Sequence, residues 1–343
     1  MNLENLYKSL NDFKNKFEFK IHFAKDQKDL KNKISSINYT SLDYSIDFLN
    51  YQKSYHEMNV KNIFDISFFI INKGKTIAYC PLYLIQKEKF ELTSNFKYIT
   101  EPLISKKLEQ FNVKNIINYF IDLIFLIKKT LKIENLSFVS DNKFGNYLSD
   151  WDKELLKLNC SSSLIYEQSI NLEKDKDYIW MNIRKSYKNL INKYQKKIKV
   201  FLYDGNNQNI WRKFQAFHIE TSKKITRNQT TWDKQLISIK NKSAFFFYIL
   251  DEKNNLIGGS LFDSADTEAY YSVGVYDRKL NKLPLSHLIL NKSIEFFKKE
   301  KIKNITLGEY KFDKENLDDK ILSIQNFKSG FANKIIFKVI YKK

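Results

Sequence analysis

The chain has 343 residues, 43% of them hydrophobic, and a formal net charge of +19. That is apolar material for one large domain or two of ordinary size. Cys80 and Cys160 stand alone and match no disulfide or redox spacing, which points to a reducing compartment.

The N-terminal MNLENLYKSLNDFKNKF carries charges throughout, unlike a signal peptide. The most apolar stretch, 116–127, is interrupted by Asn118 and Asp122 and falls short of the ~20 residues a bilayer requires. A soluble, cytoplasmic protein is expected, with the Lys-rich surface leaving open a peripheral contact with the inner face of the membrane. Of 58 basic residues only Arg184, Arg212, Arg227 and Arg278 are arginine. Lys, Asn and Ile abound and Gly and Pro are scarce, so much of the charge reads as lysine drift on solvated faces. In such a chain a retained arginine is informative, because its planar fork binds phosphate or carboxylate as an ammonium cannot.

In chain order, residues 1–35 read as a charged helical lead-in with a strand-like patch at Phe17–Phe23. A helix is expected over Tyr44–Tyr55. A hairpin follows, with strands 65–71 and 76–84 joined by Asn72-Lys73-Gly74-Lys75. Helix 113–130, strand 136–140 and helix 142–159 complete one α+β unit, giving a first domain over 1–160. The second, 161–343, opens with strand 164–172. The stretch from Trp180 to Trp232 organises it. A basic helix spaces Ile183, Tyr187, Leu190, Ile191 and Tyr194 at three- and four-residue steps. Strand 198–201, a helix carrying Trp211, Phe214, Phe217 and His218, and a Thr-Arg-Asn-Gln-Thr-Thr-Trp loop follow. A helix from about Thr231, strands 244–250, 256–262 and 269–276, and helix 284–300 behind Pro284 come next. Strand 304–309, a helix near 320–329 and strand 334–341 end the chain.

This order resembles the GNAT acyltransferase fold. The stretches IRKSYKNLIN (183–192), TRNQTTWDKQ (226–235), GGSLFDSADTEAYYSVGVYDR (258–278), PLSHLILNKSIEFF (284–297), ITLGEY (305–310) and NFKSGF (326–331) resemble the FemA/FemB/FemX-like branch. YSIDFLNYQKSY (44–55) and AYCPLYL (78–84) resemble its companion domain. The resemblance implies an α+β protein of two tandem GNAT-like domains, each a mixed, mostly antiparallel sheet flanked by helices. It implies transfer of an acyl or aminoacyl group to an amine of a phosphorylated or lipid-linked cell-surface sugar or peptidoglycan precursor. The donor is acyl-CoA or, within the FemX-like branch, aminoacyl-tRNA.

Such transfer needs in-line binding, a donor at the oxyanion and a route for the proton. No Gly-x-Ser-x-Gly, Cys–His or His-Glu-x-x-His signature occurs, so neither a covalent nucleophile nor a metal is expected. Acetyl-CoA-binding relatives carry a Gly-rich turn before the helix that here starts at Pro284. This chain has Asp277-Arg278-Lys279-Leu280-Asn281-Lys282-Leu283, without glycine. Arg278 and Lys279 are left to attract the donor's phosphates, helped by the helix N-terminus.

Lys328 matches the family's C-terminal Phe-Lys motif, whose lysine lies at the reaction centre. His287, in a helical first turn, and Glu309, at a strand end, are candidate bases. Arg184 and Arg227 are candidate anion contacts, with Trp232 a stacking partner for Arg227. Asp263 and Tyr271 are read as cleft-lining, and Asp43 and Tyr51 as acceptor contacts from the first domain. Two other classes remain open: a nucleic-acid-binding protein, disfavoured by scarce arginine and the absence of a recognised module, and a catalytically silent scaffold. The acyl group, the acceptor and the oligomeric state are written in none of these motifs.

Overall fold

The structure, a computed structural model, describes residues 6, 9, 20–23, 30–37, 41–141, 148–313, 315 and 317–343. The expected lead-in helix lies almost wholly outside the described residues, as do 17–19 and 142–147. The chain divides into two compact units, 1–164 with 338–343, and 165–337. The last six residues therefore lie with the first unit rather than with the half that precedes them.

The first unit contains β1 (Lys20–Phe23), α1 (Leu30–Ser35), α2 (Ile46–His56), β2 (Asn62–Asp65), β3 (Phe68–Asn72), β4 (Lys75–Cys80) and β5 (Tyr83–Gln86). It continues through β6 (Phe90–Thr93), β7 (Ile99–Thr100), β8 (Leu103–Ile104), α3 (Gln110–Leu131), β9 (Ser137–Asp141) and α4 (Asp150–Lys157). The expected hairpin forms over Lys73 and Gly74, both at positive φ as a tight two-residue turn requires. Its strands are nevertheless each broken in two. Pro81 cannot donate to a ladder. Ser67 turns out of β3, its N–H donating to Asp65 Oδ1 at 3.0 Å and its hydroxyl taking the Leu82 N–H at 3.0 Å. The outer halves form a separate sheet, β2-β5-β6, beside the sheet β1-β3-β4-β8.

On α3, Ile116, Ile117, Phe120, Ile124, Ile127 and Leu131 bury one face against Phe68, Ile70, Leu82, Phe138 and Trp151. Truncating one such side chain to alanine costs about 2–5 kcal/mol. Of the helix expected over 142–159, residues 142–147 lie outside the described residues, and the described helix is Asp150–Lys157. Ser149 caps it, trading hydrogen bonds with Asp152.

The second unit runs from β10 (Ser161–Asn171) through α5 (Lys176–Asn182), α6 (Lys185–Tyr194), β11 (Phe201–Leu202), α7 (Gln208–Ser222) and α8 (Gln229–Lys240). Then come β12 (Ala244–Leu250), β13 (Leu256–Ala265), β14 (Glu268–Tyr276), α9 (Leu285–Lys299), β15 (Asn304–Tyr310), α10 (Asp319–Ser329) and the start of β16 (Lys334–Lys342), whose residues from 338 belong to the first unit. The basic helix expected from 180 is two helices, because Ile183 and Arg184 take extended backbone angles between them. The strand expected at 198–201 is reduced to Phe201–Leu202.

The strand order is β11-β12-β13-β14-β15-β10, antiparallel except between β14 and β15. Alternation along β13 decides the two faces. Leu261 packs with Trp211 and Phe214 of α7 and Trp232 of α8. Phe262 packs with Leu288, Ile289 and Phe297 of α9.

Candidate functional site in the second unit

The parallel neighbours β14 and β15 pair over only Glu268↔Asn304, Ala269↔Ile305 and Tyr270↔Thr306. Beyond that β14 stays with β13 to Tyr276 and β15 with β10 to Tyr310, so the sheet opens between them. Register irregularities flank the opening, between Leu261 and Phe262 and between Gln168 and Ser169. Gly308 lies at the second, with φ +115, which glycine alone takes without strain.

Lys328 reaches this opening from the last turn of α10. A Cβ on Gly308 would lie 2.9 Å from its Nζ and 3.6 Å from Tyr270 Oη. The ammonium is 5.8 Å from the centre of the Tyr271 ring. Burial lowers its pKa, while the carboxylate of Glu167 acts the other way. Two glutamines hold α10 in register. Gln168 Nε2 donates to Ser329 Oγ and, at 3.4 Å, to the Gln325 carbonyl. The Gln325 amide exchanges two 2.9 Å hydrogen bonds with the backbone of Lys311. Tyr271 Oη lies 3.0 Å from Tyr276 Oη, which lies 2.6 Å from Ser260 Oγ.

A second group gathers at the same end of α10. Arg184 donates from Nη1 to Tyr187 Oη at 3.0 Å and from Nη2 to the Asn326 carbonyl at 3.1 Å. Tyr187 packs edge-on against His287, with ring centres 4.3 Å apart, and His287 against Phe327 at 5.1 Å. Gly330 permits this approach, since a Cβ there would meet the Tyr187 ring at 2.0 Å. Burial, and then the Arg184 charge, push His287 down to about 4.

The third group lies on the α7–α8 face of the sheet. Arg227 donates from Nη1 to Thr226 Oγ1 and meets His218 Nε2, both at 3.1 Å, and covers the Trp232 ring at 5.2 Å. A guanidinium can only donate, so Nε2 of His218 accepts and Nδ1 carries the proton. Burial pushes His218 down to about 4, with the Arg227 charge adding to it. Asp263, buried on β13, is pushed up to about 7 by desolvation, against the Ser272 hydroxyl and the Arg227 charge. Its Oδ2 has no hydrogen-bond partner among the described residues. Asp263 is the ladder partner of Tyr270, whose hydroxyl reaches the Gly308–Lys328 contact.

Lys328 and Tyr271 thus share the opening, Arg184 and His287 share one helix end, and Arg227, Trp232 and Asp263 share one wall. Glu309 is exposed, paired across the strands with Glu167. Arg278 and Lys279 are exposed in a turn where Asp277 Oδ1 takes the Lys279 N–H at 2.9 Å. In the first unit Asp43 accepts a 2.9 Å hydrogen bond from Asn95, and Tyr51 is buried. Sequence reasoning missed Gln168, Gln325, Glu167 and the pairing of His218 with Arg227.

No protein-family model matches the sequence, and no curated protein aligns with it significantly. Solved structures do match in shape. FemX superposes with TM-score 0.65 at 10% identity, covering 90% of this chain and 94% of its own. L-PGS from Bacillus licheniformis gives TM-score 0.55 at 9% identity, covering 91% and 89%. The C-terminal DUF2156 domain of an Agrobacterium fabrum protein gives 0.54 at 10%, covering 91% and 90%. The chain has the α+β fold of the FemX-like tandem GNAT proteins, as the motif resemblance implied.

Proposed function

We propose that the second unit transfers an aminoacyl or acyl group to an amine, with the donor carbonyl seated where β14 and β15 part. The observation that carries this is the Lys328 ammonium lodged against Gly308 at that opening. The amine attacks the carbonyl carbon, a C–N bond forms, and the carbonyl electron pair moves onto oxygen. Lys328, partly desolvated, donates to that oxyanion. Collapse breaks the bond to the leaving oxygen or sulfur, which departs with a proton. The Glu167–Glu309 pair, across β10 and β15, takes the proton released by the amine and returns it to the leaving oxygen or sulfur.

Arg184, exposed at the start of α6, meets an anionic group of the acceptor such as a phosphate. Arg227, Trp232 and Asp263 form the other acceptor wall. His287 is assigned to positioning Tyr187 and Arg184. The favoured acceptor is an amine on a phosphorylated or lipid-linked sugar or peptide precursor, met in the cytoplasm.

Between the two donors the turn before α9 favours an aminoacyl ester of tRNA. An amide of that turn is already taken by the Asp277 carboxylate and is not free to cradle a CoA pyrophosphate, which leaves the exposed side-chain charges of Arg278 and Lys279. Arg278 and Lys279 then serve the tRNA backbone. The test is transfer of a labelled amino acid from tRNA to a panel of amino-sugar and peptide precursors. Label should move with the wild-type chain and not with Lys328→Ala. Transfer from acyl-CoA alone would reverse the donor assignment, and transfer from neither would make the chain a silent scaffold.

A further inference from the structure

Between Tyr178 and Tyr203 the chain carries seven lysine or arginine residues and no acid. The segment takes in the end of α5, all of α6 and the turn leading to β11, and the exposed Asp175 and Asp177 stand just before it at the start of α5. Ile191 faces the core, while Lys185, Lys193, Lys196 and Lys197 are exposed. Among the described residues none of these four lies within ion-pair distance of a carboxylate. At its margin α5 turns Tyr178 and Met181 outward, one helical step apart. Met181, 73% exposed, is the most exposed large apolar side chain among the described residues. Lys188 Nζ donates to the Met181 carbonyl at 3.1 Å, which ties this apolar point to the cationic helix.

We propose that this α5–α6 face docks the protein on an anionic membrane surface, Met181 and Tyr178 entering the headgroup boundary and the lysines meeting lipid phosphates. Lysine ammoniums beside exposed apolar side chains are the interfacial pattern, stems against the acyl boundary and heads in water. Phosphate of a nucleic acid is the same chemistry from another source, but base stacking needs free aromatic faces. Here Tyr187 and Tyr194 are half-buried and packed against the core, and Lys174 Nζ covers the exposed Tyr178 ring at 5.6 Å. The inference is independent of the transfer reaction.

The test is sedimentation of the full chain with vesicles of phosphatidylcholine alone, or with phosphatidylglycerol in equal part. Partition onto the mixed vesicles should exceed that onto neutral ones by about tenfold or more and fall with added salt. K185E/K193E/K196E should abolish that preference. K106E/K107E/K114E, which changes net charge equally in the first unit, should retain it. Met181→Ser should weaken partition severalfold, with melting temperature confirming that each variant is folded. Equal binding to both vesicle types, or loss with the control triple as well, overturns the proposal. So does displacement by tRNA with Met181→Ser indifferent, which would make the face an RNA surface.

Discussion

A side chain at position 308 would have to share space with the Lys328 ammonium, since its Cβ would lie 2.9 Å from Nζ at a φ of +115. Gly308→Ala should therefore cost about 1–3 kcal/mol of stability and lower turnover by moving Lys328. Lys328→Ala leaves the backbone untouched. It should lower turnover by about a hundredfold, with the thermal melt nearly unchanged; full turnover would remove Lys328 from the chemistry. Asp263 supports a pH test. Its carboxyl titrates near 7 in the fold against an ordinary 3.8. Its contribution is fully present below pH 3.8 and is lost as pH rises through 7. Asp263→Asn removes that loss, so its stability relative to wild type should climb between pH 4 and 8 in denaturant titrations. A constant difference would mean that Asp263 is ionised throughout. On the same wall, Arg227→Lys keeps the charge but not the planar guanidinium that covers the Trp232 ring while its Nη1 meets His218 and Thr226. It should weaken acceptor binding more than Lys188→Ala does, read as the rise in acceptor KM.

At the scale of elements, α10 matters because its last turn carries Lys328. Its hold on β10 and β15 is polar. Gln325→Leu would strand the Lys311 N–H and carbonyl, costing about 1–3 kcal/mol, and should lower turnover as Lys328 loses its register. Much of this layer is legible in sequence. Pro284 marks the start of α9, and Asp251 closes the β12–β13 turn by taking the N–H groups of Lys253 and Asn255. The aromatic spacing of α7 shows its buried face. Other features depend on partners distant in the chain. Ser67 and Leu82 break one hairpin across 15 residues, with Pro81 the visible clue. The gap between α5 and α6 follows from the Arg184 N–H meeting the Gly330 carbonyl at 2.8 Å. Gln168 looks like any polar strand residue until α10 covers it.

Across the whole molecule, the order of strands and helices carried more information than its net charge. A fold shared with FemX at 10% identity survives because periodicity and turn chemistry persist while side chains drift. The +19 charge is spread over a lysine-rich surface and singles out no partner by itself. The candidate site was legible where a rare residue stood out, at Arg184 and Arg227, and where a resembling motif, Phe327-Lys328, marked one lysine among many. It was not legible in Glu167 or His218, whose roles come from neighbours that only the folded sheet supplies. The most direct test of donor recognition is the melting temperature of the full chain with aminoacyl-tRNA, uncharged tRNA and acetyl-CoA, measured in parallel. Aminoacyl-tRNA should raise it more than uncharged tRNA does, and acetyl-CoA should leave it unchanged. A rise with acetyl-CoA alone, or equal rises with charged and uncharged tRNA, would contradict recognition of an aminoacyl ester at the opening beside Lys328.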